Sequence, residues 1–173
     1  VCPSQFCRAD FVDQVEAILE TYQVDPRQLV LEVTETTLLN DIQDTIKKLN
    51  LCRSKGLKIA LDDFGTGYSS LAYLKDLPID ILKIDKAFVQ ELDQKNDKNC
   101  LVQSILIISE FMQLDVVAEG VETQEQRELL TQLGCEIFQG YLFSPPRREQ
   151  DFLAWMHSYD SERLPELARA VPH

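Results

Sequence analysis

The sequence predicts an α/β fold in which parallel strands are joined by helical crossovers. Short apolar runs alternate at least five times with stretches of helical periodicity, the pattern of βα units. The runs are apolar almost throughout, as expected of strands covered by helices on both faces. Acidic, basic or amide residues gather where each run ends, and in parallel α/β folds that edge of the sheet carries the ligand site. Two architectures satisfy these observations, an open doubly wound sheet and part of a barrel.

In chain order, Val1 to Phe6 is short and mildly apolar, and a helix follows with Phe11, Val15, Ile18, Leu19 and Tyr22 on one face. Asp25-Pro26 is a turn. Leu29 to Val33 reads as the first strand and ends among Glu32, Thr34 and Glu35. Asn40 is placed to cap a helix carrying Ile42, Ile46, Leu49 and Leu51, and Gly56 stands at its C-terminal stop. Leu57 to Leu61 is the second strand, followed directly by Asp62 and Asp63. Successive strand side chains point to opposite faces, so these two carboxylates meet only if the backbone turns, and Gly65 and Gly67 permit a turn. Ser69 or Ser70 then caps a short helix with Leu71 and Leu74.

Pro78 breaks that pattern, and Ile79 to Ile84 is a strand carrying Lys83 and followed by Asp85. Phe88, Val89 and Leu92 begin a helical stretch, and the polar run from Asp93 to Asn99 reads as a loop. A helix with Leu101, Ile105 and Ile108 leads to the strand Leu114 to Ala118, which ends at Glu119. Thr123 with Gln126 fits a capping box for a helix carrying Leu129, Leu130 and Leu133, stopped by Gly134. Cys135 to Phe138 is a strand ending at Gln139, and a last helix buries Phe152, Trp155 and Met156. Ser161 to His173 reads as a weak terminal helix.

A length of 173 residues suits one domain. The formal charge of -12 argues against general attraction to nucleic acid or anionic membrane, because both reward clustered Lys and Arg. The five cysteines are scattered without CxxC spacing, which favours neither a disulfide framework nor a zinc site and suits a reducing cytosol. No apolar run approaches membrane-spanning length. The start at Val1, without a methionine, suggests a domain cut from a longer chain.

Five polar clusters in register, Glu32 with Glu35, Asp62 with Asp63, Lys83 with Asp85, Glu119 with Glu122, and Gln139, point to one site. Carboxylates so gathered repel each other unless cations sit between them, and hard divalent ions such as Mg²⁺ or Mn²⁺ suit oxygen donors. His157 and His173 are the only histidines and stand far along the chain, so a Ser-His-Asp triad or a histidine-rich zinc site lacks its parts. His157 reads as a helix-surface residue. Two metals about 4 Å apart serve phosphodiester hydrolysis, with a carboxylate as base and a lysine offsetting charge on the phosphoryl oxygens. An enolase-like lysine base with Mg²⁺ uses similar parts and competes with that reading.

The segments LEVTE (Leu31 to Glu35), DDFGTGYSSL (Asp62 to Leu71), PIDILKIDKAFV (Pro78 to Val89), VVAEGVET (Val116 to Thr123) and QGYLFS (Gln139 to Ser144) resemble, in order and spacing, the EAL-domain family of cyclic di-GMP phosphodiesterases. The resemblance implies a TIM-type (β/α) barrel that hydrolyses cyclic di-GMP to linear pGpG with two Mg²⁺ or Mn²⁺ ions in bacterial signalling. It implies metal ligation by Glu32, Asp62 and Asp63, with Asp85 as a further candidate. Lys83 would act beside the attacking water and phosphate, Glu119 as general base or metal-linked carboxylate, and Gln139 in holding the hydrated site. Glu35 would anchor the glycine loop, and Glu122 would support the site.

The family's Glu-Ala-Leu segment, whose glutamate is a metal ligand, has no counterpart in these residues and is expected before residue 1. Gln5-Phe6 resembles the end of the family's Asn-x-Ser-x-x-Gln-Phe segment, which aligns Cys2 with the serine and sets the ligand asparagine just before Val1. The expectation is thus an incomplete barrel without its first strands, with residues 1–158 as the C-terminal part of an EAL domain and 159–173 as a tail. A non-catalytic cyclic di-GMP receptor is the alternative function. The resemblance further implies a homodimer, an upstream sensory or GGDEF domain in the parent protein, and a cytoplasmic location with a membrane tether as a variant.

Overall fold

The computed structural model describes residues 1–38, 41–65, 74–92 and 99–157. Its centre is one parallel sheet of five strands, β1 (Val30–Thr34), β2 (Lys58–Phe64), β3 (Ile81–Ile84), β4 (Asp115–Glu119) and β5 (Ile137–Gln139). Spatial order follows chain order, β1-β2-β3-β4-β5. A doubly wound sheet reverses its winding at a switch point, whereas here every crossover steps the same way, which is barrel winding. The fold is an incomplete TIM-type barrel.

The helices are α1 (Pro3–Phe6), α2 (Phe11–Tyr22), α3 (Glu35–Leu38), α4 (Ile42–Ser54), α5 (Lys86–Gln90), α6 (Cys100–Phe111), α7 (Gln124–Gln132) and α8 over 149–157. Several ends follow the sequence chemistry. Thr123 Oγ1 accepts from Gln126 N while the Gln126 side chain accepts from Thr123 N, completing the capping box of α7. At α4 the capping side chain is that of Asp41, which accepts from Asp44 N; Asn40 lies outside the described residues. Ser69, Ser70, Gly67 and the tail from 158 onward also lie outside them. Among the described residues no helix is long and apolar enough to cross a membrane.

The pleat divides the strands into two unlike faces. Val33, Ile59, Leu61, Leu82, Ile84 and Ala118 point toward the helices and are at most 1% exposed. With Leu49, Cys52, Val89, Val102 and Leu130 they form the core between sheet and helices. The other face is the concave interior of the barrel, and it is not closed: Val30 and Ile137 are each 46% exposed. The expectation of strands buried on both faces holds at the middle of the sheet, where Ala60 of β2 and Lys83 of β3 are 1% and 5% exposed on the inner side, and is corrected at the edge strands β1 and β5. Five strands curl without meeting, so among the described residues the inner face has no opposite wall.

Three helix faces also differ from the periodic pattern. Phe11 and Val12 bury the start of α2, but Ile18 and Tyr22 stay exposed, and so does Leu51 on α4. In α8, Phe152 is exposed, while Trp155 and Met156 are half-buried. Ile18 and Tyr22 lie beside the stripe of Phe11, Val12, Val15 and Leu19 that α2 turns toward the core.

Candidate active site

Strand register explains why residues far apart in sequence share one face. Glu32 pairs with Ala60 and Ala60 with Ile81, so Glu32, Asp62 and Lys83 have the same parity across β1, β2 and β3. Lys83 pairs with Val117, and Glu119 follows two residues later, adding β4 to the set. Glu119 pairs in turn with Gln139 of β5. All five positions lie on the concave face, toward the C-terminal ends of the strands.

Asp63 should by parity point into the helix layer. Instead its φ is +57°, and the β2–β3 register slips by one residue between Leu61 and Phe64. This bulge makes Asp63 the additional residue, and Phe64 returns to the core at 5% exposure. Aspartate tolerates the left-handed region better than most residues. The turn needed to unite the two carboxylates is thus made at Asp63 itself, before Gly65. The outcome is a group of carboxylate oxygens from Asp62, Asp63 and Glu119 within 4.8 Å of one another.

Lys83 stands among them, only 5% exposed. Its Nζ lies 3.0 Å from Glu32 Oε1, 3.0 Å from Asp62 Oδ1 and 2.8 Å from Glu119 Oε1. Burial alone would push the ammonium pKa down, but hydrogen bonds to Glu119, Asp62 and Glu32 hold it above its ordinary value. One ammonium cannot neutralise three carboxylates. Glu119 is accordingly pushed up by burial, with Asp62 and Glu32 adding to the rise against the pull of Lys83. Asp63 is raised by burial and by the neighbouring charges of Asp62 and Asp85, with which it also makes a side-chain hydrogen bond.

Asp85 precedes α5 and accepts from Ala87 N at 2.7 Å, which fixes its carboxylate at the rim of β3. Glu35 opens α3 and is 3% exposed, and among the described residues neither of its carboxylate oxygens has a hydrogen-bond partner. Gln139 sits exposed on the rim of β5, while its carbonyl accepts from Val121 N. Glu122 is exposed in the loop before α7, with its backbone N–H held by Gln126 Oε1. The fold therefore gathers Glu32, Asp62, Asp63, Lys83, Asp85 and Glu119, sets Gln139 beside them, and leaves Glu35 buried at the start of α3 and Glu122 exposed before α7.

Two features escaped the sequence reading. Thr34 Oγ1 lies 3.1 Å from Thr36 Oγ1 and 3.0 Å from Thr37 Oγ1, tying the end of β1 to α3 through hydroxyls. Gly140 crosses Val121 so closely that a methyl group there would overlap the Val121 backbone. The glycine after Gln139 was the only available signal.

The donor set consists of hard oxygens. Five carboxyl groups around one ammonium suit hard divalent cations. Comparisons with known proteins agree with this chemistry. The EAL-domain family model matches residues 1–146. The bifunctional diguanylate cyclase/cyclic di-GMP phosphodiesterase MucR of Pseudomonas aeruginosa is 43% identical over 150 residues, covering 87% of this chain and 22% of MucR. The cyclic di-GMP phosphodiesterase NbdA of the same organism is 40% identical over 166 residues, covering 96% of this chain and 21% of NbdA. The chain thus spans about a fifth of the length of these curated relatives. The solved MucR phosphodiesterase in complex with c-di-GMP superposes with a TM-score of 0.83 at 41% identity, covering 88% of this chain and 62% of that one. A manganese/cyclic di-GMP complex of Klebsiella pneumoniae BlrP1 gives a TM-score of 0.76 at 36% identity over 83% of this chain and 37% of that one. With a barrel-wound sheet, an acidic rim around a buried lysine and matched sequence over most of its length, the chain belongs to the EAL-domain family.

Proposed function

We propose that this chain forms the larger part of the active site of a metal-dependent phosphodiesterase that hydrolyses cyclic di-GMP to linear pGpG. The observation that carries the reading is the convergence of Asp62, Asp63 and Glu119 around Lys83. The names of MucR and NbdA, and the cyclic di-GMP in the MucR and BlrP1 complexes, support the substrate.

Glu32, Asp62, Asp63 and Asp85 would hold two divalent ions, Mg²⁺ or Mn²⁺, which would polarise the phosphate and lower the pKa of water. Glu119 accepts the proton of the attacking water, a role suited to a carboxyl whose pKa burial raises. Lys83 offsets negative charge that grows on the phosphoryl oxygens. Gln139 would hydrogen-bond the hydrated site from the rim, Glu35, whose carboxylate has no partner among the described residues, would anchor the glycine loop, and Glu122 would support the loop after β4. The parent protein works in the cytoplasm, carries a GGDEF or sensory domain upstream, and acts as a homodimer. The cyclase named in MucR supports the GGDEF neighbour.

Hydrolysis of cyclic di-GMP by the complete domain, with Mg²⁺ or Mn²⁺ and chromatographic measurement of pGpG, tests the reading. Glu119→Ala should lower turnover by at least about 100-fold, the scale of a lost general base. Metal-independent binding of cyclic di-GMP without turnover in the unaltered domain would instead establish the receptor alternative.

A further inference from the structure

We infer that Lys83 is a built-in competitor of the divalent cations, because its ammonium engages the carboxylates that metal must share. The inference rests on the proposed reading of the acidic cluster as a metal site. It goes beyond that reading by giving Lys83 a function in metal affinity, separate from any contact with phosphate.

An ammonium has three N–H donors. Those of Lys83 match three acceptors, Glu32, Asp62 and Glu119, on three different strands at 2.8–3.0 Å. Two of these acceptors, Asp62 and Glu119, also belong to the group whose oxygens lie within 4.8 Å of one another. A metal drawing on that group therefore takes carboxylates already engaged by an internal cation. Asp62 Oδ1 is further committed because it accepts from Asp63 N at 3.1 Å.

Two opposite effects follow. Lys83 stabilises the metal-free site, because among the described residues it is the cation that ion-pairs with Glu32, Asp62 and Glu119, whose carboxylates otherwise repel one another. Whatever stabilises the empty state more than the loaded state weakens loading by the same factor. A site so built releases metal more readily than its carboxylate count suggests, and keeps its fold when metal is scarce. A lysine that only positioned its neighbours would have the other signature, with affinity falling when it is removed.

The experiment measures Mn²⁺ binding to the full chain from the electron paramagnetic resonance signal of free Mn²⁺, comparing wild type, Lys83→Met and Lys83→Arg. Lys83→Met should bind Mn²⁺ on the order of 10- to 100-fold more tightly, the worth of charge-assisted hydrogen bonds removed from the empty state. Its metal-free form should melt at lower temperature than wild type. Lys83→Arg keeps the cation and should stay within about threefold of wild type. Equal or weaker binding by Lys83→Met would overturn the inference while leaving the metal site intact. Failure of every protein to bind Mn²⁺ would overturn the metal reading and this one together.

A measurement on the unaltered chain guards against a variant that does not fold. The ¹⁵Nζ resonance of Lys83, shielded from water in the empty site, should shift and exchange faster with solvent as Mg²⁺ is added. A resonance unchanged through a titration that saturates the site would overturn the competition.

Discussion

Asp62 and Asp63 are consecutive residues of one strand, yet their carboxylates lie within 4.8 Å of each other and of Glu119. An unbroken strand would send them to opposite sides of the sheet. The φ of +57° at Asp63 and the adjoining bulge bring them together. The site thus depends on a backbone conformation that few side chains tolerate, and identity at position 63 serves conformation as well as charge.

These two roles are separable by substitution. Asn accepts the left-handed region about as well as Asp, so Asp63→Asn should fold normally, and removing a carboxylate from beside Asp62 and Asp85 should leave the metal-free protein at least as stable. Metal affinity should fall with the lost ligand charge. Asp63→Val adds a β-branched side chain at the same φ and should cost about 1–2 kcal/mol. Urea midpoints of both variants without metal check the prediction; equal destabilisation would remove the conformational role.

Gly140 fixes the far side of the site. Val121 N donates to Gln139 O at 3.1 Å, and Leu142 N donates to Val121 O at 3.0 Å, so two loops cross with Gly140 between them. Gly140→Ala drives a methyl group into the Val121 backbone and cannot be relieved by a rotamer change. A loss of roughly 1–3 kcal/mol is expected, with displacement of Gln139 from the rim. A urea midpoint within error of wild type would show that the crossing opens without cost.

Much of the fold could be read from the sequence because βα alternation, the Thr123–Gln126 capping box and the stops at Gly56 and Gly134 are local signals. The candidate site was legible for a related reason, since parallel strands deliver Glu32, Asp62, Lys83 and Glu119 to one edge in register. The bulge at Asp63 was not legible, because it is defined only relative to the neighbouring β3. Nor does an apolar run reveal whether both faces are covered. Val30 and Ile137 have core composition but face an interior with no opposite wall among the described residues. Ile18 and Tyr22 show the same limit in a helix, where periodicity marks the stripe but not its width.

The cysteines should divide into two kinetic classes. Cys2, Cys7 and Cys100 are exposed, whereas Cys52 and Cys135 are buried and their thiols are pushed up in pKa by burial. Hydrogen bonding with Ser4 lowers Cys2, which should be the fastest to react near neutral pH because the thiolate is the nucleophile. Titration with an aromatic disulfide reagent should release three equivalents quickly and two more only on unfolding. Fast reaction at all five positions would mean that the core opens on the labelling timescale.

Asp80 performs at the opposite edge of the sheet what the acidic cluster cannot, namely pure structural bracing. Its Oδ2 accepts from Ile59 N at 2.9 Å, its own N–H donates to Ile59 O at 2.9 Å, and Arg53 Nη2 lies 2.8 Å from Oδ1. One residue thus joins β2, the entry to β3 and the last turn of α4. Asp80→Ala leaves Ile59 N–H without that acceptor and should cost roughly 1–3 kcal/mol. Asp80→Asn retains an acceptor and loses only a partly exposed ion pair, worth about 0.2–1 kcal/mol. Because Asp80 precedes β3 at its N-terminal end, while the acidic cluster lies at the C-terminal edge, Mn²⁺ affinity should be unchanged in both variants at temperatures where they are folded. Urea midpoints ordered wild type, Asn, Ala, with constant metal affinity, are the expected result. A loss of affinity in folded Asp80→Asn would show that strain at this edge reaches the site through β3, which carries Lys83.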